Sequence, residues 1–144
     1  MSDPTLVVDR IRSHLTAAGL IVVVEWAWEE FDEPTARWCF RRLASGADAG
    51  WLHRRRDEWA TSGQEWGAYL RAWAEKEHLH TAEALLRLLE QSFDRQHLAH
   101  GPYFFPELPA TSAEDERAAI DAGQIRAARI DYAGMVRQAQ AAPA

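Results

Sequence analysis

The sequence predicts a mainly α-helical α+β fold in which one small β-hairpin accompanies several amphipathic helices around a tryptophan-rich core. Apolar residues recur at helical spacing along most of the chain, between capping residues and glycines. Residues 20–31 differ, because the β-branched and aromatic residues of LIVVVEWAWEEF favour a strand. A length of 144 residues with 47% hydrophobic and 26% charged residues is typical of one globular domain, 1–144. An all-α bundle is the alternative if residues 20–43 are helical.

Capping residues and glycines delimit the predicted elements. Asp3 before Pro4 predicts a helix start, and Gly19 predicts the end of that helix. Ser112 with Asp115 three residues later is a capping-box pattern. The predicted elements are a helix over 4–18, a β-hairpin over 20–43, helices over 48–61, 64–78, 81–97 and 112–140, and a frayed tail over 141–144.

The second half of the predicted hairpin, ARWCFRRLA at residues 36–44, fits two structures. As a helix it begins at a capping Asp32 with Pro34 in its first turn. As a strand it pairs back on residues 22–30 and places glutamates opposite arginines, which is favourable across strands. A lone strand cannot satisfy its backbone hydrogen bonds, so we favour the hairpin.

Charge and cysteine content narrow the range of functions. The net charge of −6 argues against broad, non-specific nucleic-acid binding, which depends on neutralising phosphates. No apolar run is long enough to span a membrane, and the start MSDPTLVVDR does not resemble a signal peptide. The single cysteine, Cys39, cannot form an internal disulfide and is interpreted as a small buried hydrophobic residue. These features predict a cytoplasmic protein.

The seven tryptophans all lie in the first half of the chain. Most of them are expected to form the core, because large aromatic side chains bury much area in a small domain. Seven indoles are many to bury in 144 residues, so one or two are expected at a functional surface. Trp28 and Trp51 are the candidates, because each lies at the edge of a predicted element.

Residues 5–46 resemble part of the winged-helix regulators of the PadR and ArsR families. The segments IRSHLTAAGLIVVVEW and EEFDEPTARWCFRRLASG look like their helix, turn and two-stranded wing. The resemblance implies that the helix enters the DNA major groove with residues 10 and 12–14, while Arg37, Arg41 and Arg42 flank the wing. The further helices that precede this segment in those families have no counterpart here, and the wing tip EEFDE is acidic.

A metal site is an alternative prediction for the helical half of the chain. Glu77 and His80 are three residues apart, as are His97 and His100, and such pairs can lie on one helix face and chelate a metal. The four residues would hold one divalent transition metal in a small enzyme or enzyme subunit. Histidines at predicted helix C-termini have another explanation, because the helix dipole favours them there.

The arginines form a basic segment within an acidic protein. The candidate partner-binding residues are Arg37, Arg41, Arg42, Trp51, Arg54 and Arg55. The segment EEFDE matches only the first half of the magnesium signature of all-α nucleotide pyrophosphatases, and no Gly-rich phosphate loop or GxSxG motif is present. The leading hypothesis is therefore a non-catalytic binding or regulatory module, without a cofactor, that contacts a protein or a nucleic acid.

Overall fold

A computed structural model describes residues 3–45 and 50–138. Within these ranges the chain forms a three-stranded antiparallel sheet and six α-helices, with short 3₁₀ turns at Trp28–Glu30 and Phe105–Glu107. The helices are α1 (Pro4–His14), α2 (Glu33–Phe40), α3 (Trp51–Ser62), α4 (Trp66–Lys76), α5 (Ala82–Ser92) and α6 (Ala113–Asp121). The strands are β1 (Leu20–Trp26), β2 (Phe93–Gly101) and β3 (Arg129–Val136). The predicted α+β class is confirmed.

Two predicted helix starts are confirmed by the caps that form them, whereas the first helix ends at His14 and not at the predicted residue 18 before Gly19. The Asp3 side chain accepts a hydrogen bond from the Thr5 N–H at 2.9 Å, and Ser112 and Asp115 form the predicted capping box. Gly63 ends α3 with a φ of 66°, a left-handed conformation that glycine adopts without strain. The predicted helix start at 48 and the stretch 139–144 lie outside the described residues. No described helix has the length and apolarity that crossing a bilayer requires.

The predicted hairpin over 20–43 is wrong in its second half. Residues 33–40 form α2, with Asp32 accepting a hydrogen bond from the Thr35 N–H at 3.0 Å. Its buried residues are spaced for one face of a helix: Thr35, Ala36, Trp38 and Cys39. The Arg37–Glu33 ion pair at 2.6 Å is an i,i+4 pair of the same helix. The capping residues therefore start a helix at residue 33, and β1 pairs instead with the distant strand β3.

Two further segments predicted to be helical are strands. The predicted helix over 81–97 ends at Ser92 and continues as β2, and the predicted helix over 112–140 ends at Asp121 and is followed by β3. In β3 the residues Ile130, Tyr132 and Gly134 are buried while their neighbours are more exposed, so the burial period is two. β3 is the central strand and pairs antiparallel with both β1 and β2.

Helices of the described chain cover one face of the sheet, whereas the opposite face is open along residues 20–24 of β1 and meets the aromatic core at Trp26. Helices α1 and α5 pack together on this face, and α5 also contacts β2 and β3. The buried cluster between them consists of Val8, Ile21, Leu89, Phe93 and Tyr132. We call this side the covered face, and the opposite side, which carries Leu20, Val22 and Val24 of β1, the bare face.

The larger core is aromatic and lies beside the sheet, among α2, α3, α4 and α6. Phe31 is at its centre, with ring centroids 4.6 Å from Phe104 and 5.0 Å from Trp66. The fully buried Glu116 carboxylate accepts hydrogen bonds of 2.7–3.2 Å from three consecutive backbone N–H groups, residues 103–105. These bonds satisfy a buried charge and hold the aromatic loop of residues 102–107 against the core.

Candidate binding surfaces

Two of the predicted arginines, Arg37 and Arg41, lie on one open groove. The groove has a volume of about 660 Å³ and also involves Phe40, Arg56 and Trp59. The Arg37 guanidinium lies 5.1 Å from the centre of the Trp59 ring, which is a cation–π distance. Arg37 and Arg56 each have an acidic partner, at 2.6 and 2.8 Å, and both pairs are partly exposed to solvent. The groove combines guanidinium groups with aromatic surface, which suits an anionic ligand.

The other predicted partner-binding residues do not join this groove. Arg42 stacks 3.8 Å above the Trp38 ring and lines a different cavity together with Asp115. Arg55 is buried, lies 4.7 Å from the centre of the Trp73 ring and bonds Glu58, so it lies away from the groove.

Trp51 and Trp28 are half-buried in the aromatic core, and Arg54 is exposed on α3. The Trp51 ring packs edge-on against Trp26 at 5.2 Å, so Trp51 is not an exposed platform. The Trp28 Nε1 donates a hydrogen bond to the His80 carbonyl at 3.0 Å, and its ring lines a cavity. The basic segment is thus divided among several environments and does not form one surface.

The four predicted metal ligands are not brought together. His97 and His100 lie on β2, whereas Glu77 and His80 lie in the connection between α4 and α5. The sequence pattern placed His80, His97 and His100 at predicted helix ends, which is wrong for His97 and His100 because both lie on β2, which pairs with β3. Over residues 3–45 and 50–138, no group of three or more histidine, cysteine, aspartate or glutamate side chains is arranged to hold a metal ion.

Cys39, the single cysteine, is fully buried in the aromatic core, as predicted. Burial, with a smaller contribution from the nearby Glu116 charge, raises the pKa of its thiol far above the usual range. A thiol nucleophile needs the opposite environment, one that is accessible and electropositive. Cys39 is therefore a packing residue.

The N-terminal part of the chain carries an unusual amount of exposed apolar surface. Eight large hydrophobic residues are exposed in the described chain, and six of them belong to α1 and β1. On β1, Leu20, Val22 and Val24 have exposed fractions of 53%, 64% and 61%. Met135 lies directly opposite Leu20 on β3 and extends this apolar strip across the bare face. We call the strip formed by these four residues the apolar strip.

The outer edge of β1 is also unpaired. The Gly19 carbonyl accepts from Val136 N–H, and Ala27 N–H donates to the Ala128 carbonyl, so odd-numbered residues bond to β3. The N–H and C=O groups of Leu20, Val22 and Val24 therefore point away from the sheet, and no backbone group within 3–45 and 50–138 bonds them. The next outward N–H, that of Trp26, bonds the Glu25 carboxylate at 2.8 Å.

A cavity of about 300 Å³ lies at the C-terminal end of this free edge. Its lining comes from β1 and the turn after it, from the first residue of α1, from α5 and from the connection before α5. Leu85 and Leu88 supply aliphatic surface, Trp26 and Trp28 supply indoles, and Glu25 is an exposed carboxylate. The Tyr103 ring stacks on the Trp26 ring, with a distance of 5.5 Å between the ring centroids and an interplanar angle of 7°.

Comparisons with protein families, characterised proteins and solved structures found no match to this chain. The functional argument therefore depends on the chain's own surfaces. Sequence reasoning did not identify the free edge of β1, because its partner strand was assigned incorrectly. The signal was present in LIVVV, an uncharged strand with apolar residues at every position, although only one face of the sheet is covered by helices.

Proposed function

We propose that this chain is a non-catalytic binding module that contacts a protein partner through α1 and β1. The observation that carries the proposal is the apolar strip, in which Leu20, Val22, Val24 and Met135 are exposed side by side on one face of the sheet. Exposed apolar side chains of α1, which packs on the opposite face, add to the apolar surface of this region: Leu6, Val7 and Ile11. Contiguous exposed apolar patches on soluble monomers mark interaction sites more often than random surface does. A protein partner is favoured over nucleic acid, because aliphatic side chains bury well against a protein and do not bind phosphates.

Two further features support a binding role over catalysis by a thiol or a metal cluster. Cys39 is buried and its thiol is not activated. The residues proposed as metal ligands lie on separate elements. The unpaired, reduced state expected of a lone buried cysteine fits a cytoplasmic location, which is part of this proposal.

The test places charges on the apolar strip. We expect the full chain with Val22→Lys and Val24→Lys to recover its partner about tenfold less than the parent in affinity capture from the source organism, quantified by mass spectrometry. His97→Lys is the matched control, because His97 lies on the same face of the sheet at the opposite, polar edge. Equal recovery of the same proteins by the parent, the double variant and the control would refute the proposal. Circular dichroism establishes that all three are folded.

The groove formed by Arg37, Phe40, Arg41, Arg56 and Trp59 supports a second candidate, binding to nucleic acid. Arg41 is exposed on this groove, so Arg41→Ala should weaken salt-dependent binding to duplex DNA and reduce the salt slope by about one. Arg71→Ala, an exposed arginine of α4, is the control for overall charge. Binding that is undetectable, or equal in the parent and the Arg41 variant, would remove this candidate.

A further inference from the structure

We infer that the free edge of β1 accepts an extended segment of a partner protein as a fourth strand, and that a lysine or arginine of this segment occupies the cavity beside Glu25 and Trp26. This inference rests on the proposed function and specifies how the partner binds. Three independent features carry it: the unpaired backbone groups of β1, the cavity at its end, and the charge of that cavity.

The backbone groups provide the main recognition. Leu20, Val22 and Val24 each present an outward N–H and an outward C=O, and strand addition to a sheet edge uses such groups for affinity. The available edge ends at Trp26, because the Glu25 carboxylate already accepts the Trp26 N–H. A partner strand therefore has a defined end point next to Glu25.

The cavity provides side-chain selectivity. Glu25 has the same parity as Ile21 and Val23, whose side chains pack on the covered face with Leu85 and Leu88. A strand added beside β1 would direct alternate side chains toward this same face, where the cavity lies. A long aliphatic chain can pack against Leu85 and Leu88 while its end reaches the carboxylate.

The charge of the cavity selects a cationic side chain. Among the described residues that line it, Glu25 is the carboxylate, the other ionisable residues are His78 and His80, and no lysine or arginine is present. The indoles of Trp26 and Trp28 add aromatic faces that attract a cation. Charge complementarity thus favours a basic segment of another protein over a second copy of this chain, whose own β1 carries no basic residue.

The experiment uses eight-residue peptides that alternate valine and threonine, with one lysine moved through each position, and tryptophan fluorescence of the full chain. At least one peptide should bind the parent with a dissociation constant below about 1 mM. In a strand bound at an edge, every second backbone N–H points toward β1. Methylation of these backbone nitrogens should weaken binding about tenfold or more, and methylation of the intervening backbone nitrogens should not. Absence of binding, or equal effects of the two sets, would overturn the inference.

Protein variants test the same contact from the other side. Val22→Pro removes an N–H that β3 does not use, so the sheet can tolerate it, and peptide binding should fall about tenfold. Val22→Thr keeps this N–H and should bind within about twofold of the parent. Glu25→Gln should reduce the preference for the lysine peptide over its glutamate counterpart about fivefold or more. If the Val22→Pro variant fails to fold, the N-methylated peptides still test strand addition with the parent chain.

Two outcomes separate this inference from the proposed function. Partner recovery that is lost in the Val22→Lys, Val24→Lys variant, together with no peptide binding, would retain the apolar strip as the interface and remove strand addition. Concentration-dependent dimerisation of the parent in sedimentation experiments, abolished by Val22→Pro, would assign the edge to a second copy and overturn the inference. Unchanged partner recovery in the charged variant, together with no peptide binding to the parent, would contradict both.

Discussion

The two edges of the sheet differ in the way they meet solvent. The β1 edge is uncharged from Leu20 to Val24 and regular along its pairing with β3. The β2 edge carries polar and charged residues, with Asp94 bonded to Arg137 at 2.9 Å and Arg95 paired with Glu90 at 3.3 Å. Its register with β3 is also interrupted by an irregularity between Arg95 and His97.

This difference indicates which edge is available to a partner. Charged residues and bulges are the devices by which natural sheets prevent unwanted pairing, and β2 has both. β1 has one such device, Glu25, and it acts only at the end of the strand. An unprotected edge is an aggregation hazard unless another chain covers it, so its retention is consistent with a binding role for β1.

The largest expected effect comes from a substitution in β3, the central strand that pairs with both edge strands. Destabilising β3 should disrupt both edges of the sheet together. An added Cβ at Gly134 would lie 2.9 Å from the Phe93 Cβ and 2.6 Å from the Tyr132 hydroxyl. Gly134→Ala should therefore lower the free energy of unfolding by about 1–3 kcal/mol through overpacking of the covered face. Urea denaturation measures this change.

The matched control for Gly134 is its neighbour on β3. Ala133 points to the bare face, so Ala133→Val should change the free energy of unfolding by less than about 0.5 kcal/mol. Equal destabilisation by the two substitutions would contradict the assignment of a covered and a bare face.

A smaller, pH-dependent effect should also report on the covered face. Burial, assisted by the negative charge of Glu90, raises the pKa of Tyr132 above its usual value of 10.0. Above pH 10 the unfolded chain loses this proton more readily than the folded chain, so stability falls as the pH rises through the folded-state pKa. Tyr132→Phe should make the fall of the unfolding free energy with pH less steep above about pH 10.

The neutral-pH behaviour of Tyr132→Phe provides its control. The Tyr132 hydroxyl is buried and has no hydrogen-bond partner among residues 3–45 and 50–138, so its removal should change stability by less than about 1 kcal/mol at pH 7. Tyr69, whose pKa burial raises to about 12, keeps part of the alkaline slope in the variant. An unchanged slope in Tyr132→Phe would show that the sheet is not the source of this pH dependence.

Sequence reasoning succeeded where the signal was local. The caps at Asp3 and Ser112 depend on neighbouring residues and are present, and the strand predicted over 20–31 is present over 20–26. It failed where the signal was distant. The alternating burial of β3 becomes clear only once α5 is seen to lie on one side of it, and the sequence of β2 resembles the polar end of a helix.

The candidate sites follow the same division. Arginines 37 and 41 share a groove because helical spacing brings residues four apart to one side, which the sequence pattern could indicate. Trp51 was expected at an exposed surface but packs against Trp26, because burial depends on the aromatic side chains of other elements. The cavity at Glu25 joins residues from three elements far apart in sequence, so no local pattern predicts it.

Local chemistry in the chain was enough to set its α+β class and the helix starts at Asp3 and Ser112. These properties depend on residue type and on neighbours within about one helical turn. The three-dimensional arrangement alone decided that β1 pairs with β3, and therefore which backbone groups of β1 are left unpaired. Strand pairing is non-local, so the energy that selects one partner comes from packing across the whole sheet and is not contained in either strand.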